Sequence, residues 1–375
     1  MLPLGKDPAT GYIRGMSLTF SRAAVACAAA LLAASTAAPA LAQSSNFAPS
    51  EILSGLAPGF EPSHFPQGSS TVLPQVGGSN TPTTDGSGAR LVDTRHVEKN
   101  VYEIDVYSPS MDRTITNYYV KPTTDAPRPT VYLMQGSEGG EFGSTWYTQT
   151  NYEDFFADKP VNVVSAVGGR GSQFADWRRN DSGLGMNKWI TYYSQELPYV
   201  MEHEFHGDGR SAIAGLSMSG SAALNIATKS NGKFAAAVGF SPYPAPSSVI
   251  GRAFNTVMTA RLGGDLVNAF GWPDDPAWDD NDPSAHPERL RGIKVWVTTG
   301  NGTPMTKDPY DVDDFQEMLA ETVSRPMTDQ FVAKARAAGV DITYARENYG
   351  SHSYEFFEHQ LPKAWSQAIA PALGL

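Results

Sequence analysis

The sequence predicts an α/β fold, a mostly parallel central sheet with helices on both faces. Three observations predict it. Short apolar runs recur along the chain, segments with helical spacing lie between them, and a glycine-framed serine sits where one such run passes into such a segment. Tyr102, Ile104 and Val106 alternate with polar partners, the pattern of a half-exposed strand. Residues 130–134 and 161–165 are apolar runs bounded by Gly or Pro, and so are 212–214, 234–238 and 293–297. Buried parallel strands have this form. Trp189, Tyr192, Tyr193, Leu197, Val200 and Met201 share one helical stripe in a segment ending near His206. Residues 222–228 read as a second helix and 326–338 as a third, opened by Pro326. Residues 241–290 read as long loops rich in Pro, Asp and Trp, of the kind that shape a substrate cleft.

Composition removes several classes of function. The chain has 375 residues, 41% hydrophobic and 18% charged, enough for one sizeable domain or two small ones. Its 39 acidic residues against 28 basic ones give a net charge of −11, which disfavours nucleic acid, because phosphate binding needs a basic footprint. The same charge argues against a general attraction to anionic lipid. Cys27 is the only cysteine, so disulfide scaffolds, cysteine zinc clusters and CxxC redox motifs are excluded.

Residues 1–42 read as an export signal. Arg14 and Arg22 precede an apolar run over 23–33, and Ala40-Leu41-Ala42 has the small-x-small form that signal peptidase cleaves. The run is too short for a comfortable transmembrane span. The chain is therefore expected to be cut after Ala42, to be secreted or held at the cell envelope, and not to be an integral membrane protein. Residues 43–91 are expected to form a flexible spacer. Gly, Pro and Ser fill 22 of the 47 positions 44–90, which leaves too little apolar surface to offset the entropy of ordering. Residues 92–375 are expected to form the catalytic domain.

The sharpest chemical signal is Ser211-Ala-Ile-Ala-Gly-Leu-Ser-Met-Ser-Gly220. A strand runs into Gly215, a turn carries Ser217 and a helix follows at once, the layout of a nucleophile elbow. Such a turn strains the serine backbone, so its neighbours must be small, and here they are Gly215, Ser219 and Gly220. The usual G-x-S-x-G pattern has glycine where this chain has Ser219, so the match is near rather than complete.

A serine hydroxyl needs a base to take its proton and an acid to hold that base, in the chain order Ser, acid, His. Only His286, His352 and His359 follow Ser217. His352 lies in a Gly-containing loop after the strand-like Ile342-Thr-Tyr344 and before a helix, where a base belongs. His359 reads as part of a solvated helix face and His286 as a local cap. His203 and His206 are three apart rather than four, and read as surface residues rather than zinc ligands. For the acid, Asp308, Asp311, Asp313, Asp314, Glu317, Glu321 and Asp329 all fall in the right interval, and spacing alone does not choose among them. Two backbone N–H groups must face the developing oxyanion. Met218, after the nucleophile, is expected to give one, and Ser137, in the Gly-rich loop after Leu133, the other. The Asp-rich stretches 274–282 and 308–314 fit no EF-hand loop, so they read as solvated acidic loops, and no metal and no cofactor is expected.

With these parts in place, the chain resembles the antigen 85 mycolyltransferases, which are secreted by bacteria with mycolic-acid envelopes. The resemblance runs over roughly residues 95–370 as separated motifs. They are Ser108-Pro-Ser-Met111, Val131-Tyr-Leu133, Val167-Gly-Gly169 with Asp176-Trp177, Lys188-Trp189, Glu196-Leu-Pro198 and Gly215-Leu-Ser-Met218. Asp275-Pro-Ala-Trp278 with Asn281-Asp-Pro283, Gly300-Asn-Gly-Thr-Pro304, His352-Ser353 and Gln360-Leu361 complete the series. The resemblance implies an α/β-hydrolase fold and acyl transfer between trehalose mycolates through a mycolyl-serine intermediate. Ser217 would be the nucleophile and His352 the base. The family's acid, a glutamate on a helix, falls on Glu321, which lies 31 residues before His352 and ten before Phe331, with Asp314 in reserve.

The departures concern the acceptor. The family's oxyanion loop reads Leu-Asp-Gly-Leu-Arg, and its Asp and Arg contact the sugar. Here it reads Met134-Gln-Gly-Ser-Glu138. Gln135 is expected to hydrogen-bond a substrate hydroxyl, while Glu138 reverses the charge. Tyr354 stands where tryptophan is common and is expected to contact substrate. Thr299 stands where some members carry a reactive cysteine. The implied partners are glycolipids, namely trehalose mycolates, with envelope glycan or protein hydroxyls as further acceptors. Two other readings use the same residues: a secreted carboxylesterase, and a non-catalytic protein that binds envelope or host matrix on this scaffold.

Overall fold

The apolar runs become the strands of one sheet. The computed structural model describes residues 88–305 and 312–375. The expected export signal, the expected spacer up to residue 87, Asp308 and Asp311, and the side chains of Asp313 and Asp314 lie outside the described residues. The strands are β1 (Arg90–Glu98), β2 (Val101–Ser108), β3 (Arg113–Val120), β4 (Arg128–Met134), β5 (Asn162–Ala166), β6 (Gly207–Leu216), β7 (Phe234–Phe240), β8 (Lys294–Thr299) and β9 (Ile342–Arg346). Their order across the sheet is β1-β2-β3-β5-β4-β6-β7-β8-β9. The first three form an antiparallel meander that joins β5, and from β5 to β9 every pairing is parallel. The winding direction reverses between β4 and β6, and in such sheets ligands bind outside the carboxyl ends of the strands at that reversal.

Strand alternation feeds two cores. Tyr132, Met134, Ile213, Val295 and Val297 face one side, while Val131, Leu133, Ala212, Ala214 and Trp296 face the other. The helices include α1 (Trp146–Gln149), α2 (Tyr152–Phe156), α3 (Leu197–Glu204), α4 (Met218–Lys229), α5 (Val249–Arg261), α6 (Val312–Ala337) and α7 (Tyr354–Ala364). The first side is covered by the aromatic stripe from Trp189 to Met201, by α4 and by α6. The second is covered by α1, α2 and α7. This is the doubly covered, mostly parallel sheet that the sequence predicts.

Two elements differ from the sequence reading. Pro326 does not open a helix but lies inside α6, which begins at Val312. A mid-helix proline forfeits one backbone hydrogen bond. Tertiary bonds hold the helix on both sides of it, since Ser324 Oγ and Thr328 Oγ1 both donate to the Pro242 carbonyl, at 2.8 and 3.2 Å. The 241–290 stretch is not all loop. It contains the 13-residue α5, and two of its acidic residues are engaged, while Asp274, Asp279 and Asp280 are exposed as the sequence predicts. Asp275 pairs with Arg178, and the 4%-exposed Asp282 accepts from Ser247 and from the Ser284 N–H.

The tightest point of the fold is the exit from β6. A Cβ on Gly215 would stand 2.1 Å from the Ser219 carbonyl oxygen, a backbone atom that cannot step aside. Gly215→Ala is expected to cost about 2–3 kcal/mol of stability. Urea unfolding of the variant checks this, and an unchanged midpoint would contradict it.

Candidate active site

Five segments leave the carboxyl ends of the parallel strands and meet above the reversal point. They are the loop after β4, Ser217 after β6, Ser241 after β7, Gly300 after β8, and the loop carrying His352 after β9. Backbone bonds continue the ladder past the strand ends and fix their spacing. Ser217 N–H donates to the Phe240 carbonyl at 2.8 Å, Ser241 N–H to Thr298 at 2.9 Å, and Glu347 N–H to Thr299 at 2.9 Å.

Ser217 occupies the turn with φ 58° and ψ −124°, a region that non-glycine residues rarely adopt. Ser219 accounts for the near match to the elbow pattern. Its buried Oγ accepts from Leu216 N–H and donates to the Leu216 carbonyl, both at 2.9 Å, so a serine clamps the turn that a glycine would only permit. Ser217 caps α4 without a side-chain hydrogen bond, which leaves its half-buried hydroxyl uncommitted to the helix. Met218 opens α4, so its N–H has no intrahelical acceptor.

His352 and Glu321 are brought together. His352 Nδ1 lies 2.9 Å from Glu321 Oε2, and the glutamate side chain is fully buried. The other carboxylate oxygen accepts from Ser241 Oγ at 2.8 Å and from Gly300 N–H at 2.5 Å. With Nδ1–H turned to Glu321, Nε2 keeps its lone pair, and this buried nitrogen has no hydrogen-bond partner. The Ser217 hydroxyl therefore does not yet hydrogen-bond to it, and such contacts commonly close only when substrate binds. Tyr243 and Phe357 pack around the imidazole with ring centroids 5.6 and 5.5 Å away. Tyr243 also lines a small cavity together with Met218 and Ser221. Burial first, and the nearby Glu321 second, hold the Tyr243 phenol well above its ordinary pKa, so it remains a neutral donor.

The loop after β4 is laid against the loop after β5. Gly168 N–H donates to the Gly139 carbonyl at 2.7 Å and Gly171 N–H to the Ser137 carbonyl at 2.8 Å, which fixes Ser137 against the loop after β5. Gly139 has φ +63°, and a Cβ there would lie 2.4 Å from the Gly168 carbonyl oxygen, so only glycine permits this approach. Glu138 is exposed, while Glu141 is paired with Arg170.

Gln135 requires a correction. It was expected to reach a substrate hydroxyl, but its side chain is fully buried. Its Nε2 donates to Ser165 Oγ at 2.6 Å and its Oε1 accepts from Trp146 N–H at 3.1 Å. The residue fastens the loop from below, because a side chain leaving the last buried turn of β4 points into the sheet interior. Tyr354 lies above the same loop, its hydroxyl donating to the Ser144 carbonyl at 3.3 Å and its ring edge-on to Trp146. Burial raises its pKa. The remaining candidates lie apart from the site's hydrogen bonds. Asp329 pairs with Arg346 and accepts from Tyr344, His286 lies beside Glu288, and His203 and His359 are exposed. Glu317 accepts from Ser351 Oγ at 2.8 Å, next to His352 but not on its ring.

Sequence reasoning missed Ser241, Gly300 and Tyr243. Each stands within three residues of the end of β7 or β8, the edge where sites in such sheets form. That position is the signal by which they could be found.

A nine-stranded, mostly parallel sheet with helices on both faces and a strained serine at a strand-to-helix turn is the architecture of an α/β-hydrolase. The chain belongs to the putative esterase family, whose model matches residues 108–368, and within it the chain is of the antigen 85 type. It is 31% identical over 281 residues to the diacylglycerol acyltransferase/mycolyltransferase Ag85B of Mycolicibacterium smegmatis, covering 72% of this chain and 82% of that one. The crystal structure of MPT51 (FbpC1) from Mycobacterium tuberculosis superposes with a TM-score of 0.62 at 25% identity, covering 74% of this chain and all of that one. An S-formylglutathione hydrolase from Agrobacterium tumefaciens shares the fold at a TM-score of 0.55 and 18% identity, over 76% of this chain and all of that one. The chain is accordingly an enzyme of the acyl-transferring, esterase class.

Gln135→Ala would leave Ser165 Oγ and the Trp146 N–H without their buried partner. It is expected to lower stability by about 2–3 kcal/mol, measured by urea unfolding. A raised KM at unchanged stability would restore the substrate role.

Proposed function

We propose that the chain is an exported serine acyltransferase. It moves mycolyl-type long-chain acyl groups from trehalose monomycolate to a second trehalose monomycolate or to another cell-envelope hydroxyl. The observation that carries this reading is the His352–Glu321 contact at 2.9 Å, with the imidazole's other nitrogen buried and without a hydrogen-bond partner. Family membership supports acyl chemistry, and the names of the relatives support the mycolyl group. The export reading rests on residues 1–42, with 43–91 as a spacer before the catalytic domain.

The mechanism follows from the roles of these groups. His352 Nε2 takes the Ser217 proton as Oγ attacks the donor ester carbon. The amides of Met218 and Ser137 receive the charge that develops on the carbonyl oxygen. The C–O bond to the donor sugar breaks, and His352 returns the proton to the departing hydroxyl. The acceptor hydroxyl then gives its proton to His352, attacks the acyl-serine and releases Ser217 Oγ, which regains the proton. Glu321 holds the imidazole in the Nδ1–H tautomer throughout, and stabilises the imidazolium while it exists.

Hydrolysis, with water as acceptor, is the second reading. One observation favours it: the oxyanion loop presents Glu138 and an inward Gln135 in place of the family's sugar-contacting Asp and Arg.

Ser217→Ala and His352→Ala are each expected to lower turnover by about 10⁴-fold or more. Thin-layer analysis of products from trehalose monomycolate separates the two acceptors, since dimycolate marks transfer and free acid alone removes it. Glu321→Gln is expected to lower kcat by about 10²–10⁴-fold while Asp314→Asn does not. The opposite ranking would move the acid to Asp314.

A further inference from the structure

Helix α5 is inverted relative to an ordinary surface helix. Its buried residues are Gly251, Asn255 and Thr259, one turn apart and two of them polar. Thr259 Oγ1 donates to the Gly171 carbonyl at 2.6 Å, and Asn255 lines the cavity shared by Met218 and Tyr243. The opposite side is apolar and faces solvent. Val249 is 70% and Val257 44% exposed. Ala253 and Ala260 are exposed as well, and Ile250 is half-buried. At roughly 100° per residue these five positions fall in one arc opposite the buried one. A surface helix buries its apolar stripe and shows its polar one, so this arc is built to meet something other than water.

The local charge indicates what that is. Arg252 and Arg261 are the only charged residues from Pro246 to Gly264, in a chain whose net charge is −11. Arg261 is exposed and Arg252 partly so. Arg252 stands 3.9 Å from Asp279, which leaves Arg261 the freer of the two cations. An apolar arc flanked by arginines, on a helix with no acids of its own, is the composition of a helix that lies in a lipid–water interface. The acidic remainder is repelled by an anionic layer, so this patch determines which side of the molecule meets it. The helix is also tied to the site through a residue beside the arc. Phe254 of α5 packs against Tyr243 at 4.7 Å between ring centroids, and Tyr243 packs against His352.

We propose that the outer face of α5 docks onto an anionic lipid surface and so sets the mouth of the site against the layer that holds its acyl donor. The purpose of docking rests on the acyl-transfer reading above, whereas the docking itself does not.

Full-length Ser217→Ala protein is used, so that binding is read without turnover. It is mixed with vesicles of phosphatidylcholine containing about one quarter phosphatidylglycerol, and bound protein is measured by flotation. Binding is expected, and Val249→Asp/Val257→Asp in the same background is expected to weaken it by about tenfold or more. Arg252→Gln/Arg261→Gln is expected to weaken binding to these vesicles and not to pure phosphatidylcholine. Circular dichroism checks folding, and if the aspartate pair misfolds, Val249→Ser/Val257→Ser is read in its place. No binding by the parent, or equal binding by parent and aspartate pair, overturns the proposal. So does a result in which the substitutions abolish self-association in sedimentation and leave vesicle binding intact. Failure of the Ser217-intact chain to cleave a soluble short-chain ester would instead count against the function and leave the docking result standing.

Discussion

A carboxylate inside a protein is costly unless donors surround it, and here one fully buried carboxylate is where the ends of three strands are joined. Glu321 takes Ser241 Oγ and Gly300 N–H on one oxygen and His352 Nδ1 on the other. Ser241 follows β7, Gly300 follows β8 and His352 sits beyond β9. A shift in any one of these strands would leave part of the carboxylate unpaired. The glutamate itself comes from α6, whose flanking Ser324 and Thr328 hold the Pro242 carbonyl just beyond Ser241. The imidazole orientation is thus set by the register of the sheet rather than by a single contact.

The elbow depends on the same register. Ser217 is held at positive φ because its N–H is fixed to the Phe240 carbonyl, one residue before Ser241. Strain of this kind persists only where the surroundings over-determine it. Parallel pairing of β6 with β7 and the hydroxyl of Ser219 both do so. On the other side of the site, Gln135 fixes the β4 loop to Ser165 of β5 and to the start of α1. Serine, imidazole and oxyanion loop are therefore three outgrowths of adjacent strands, and their spacing follows from strand spacing.

What the sequence made legible divides along local and tertiary lines. Ser217 was readable because the elbow's demand for small neighbours is written within six residues. His352 was readable from its loop between a strand pattern and a helix. Glu321 was not separable from its acidic neighbours by spacing, because its partners come from β7, β8 and the loop after β9; only resemblance singled it out. Gln135 shows that a motif gives a position without an orientation, since its side chain is spent on Ser165 and Trp146. The start of α6 was misplaced because Pro326 is a strong local stop that tertiary bonds override. Helix α5 was read as loop because its Pro, Asp and Trp surroundings dominated, and its inward Gly251, Asn255 and Thr259 offer no apolar stripe toward a core.

The choice between a sugar hydroxyl and water is made outside the serine, histidine and glutamate, because both acceptors use the same nitrogen of His352. In water at about 55 M, a carbohydrate acceptor prevails only if it is held in position and the acyl-serine is kept dry. The imidazole side chain is 11% exposed, shut in by Tyr243 and Phe357. Burial holds Tyr243 and Tyr354 in their neutral form, so neither phenol adds a charge that would draw water into the site. The acidic group on the loop, Glu138, points outward to solvent. Apart from the Glu321 carboxylate that holds Nδ1, the walls around His352 are thus aromatic, and Glu138 is exposed. That division favours the slow entry of water over its free exchange, which is the condition an acyl-enzyme needs to survive until a second hydroxyl arrives.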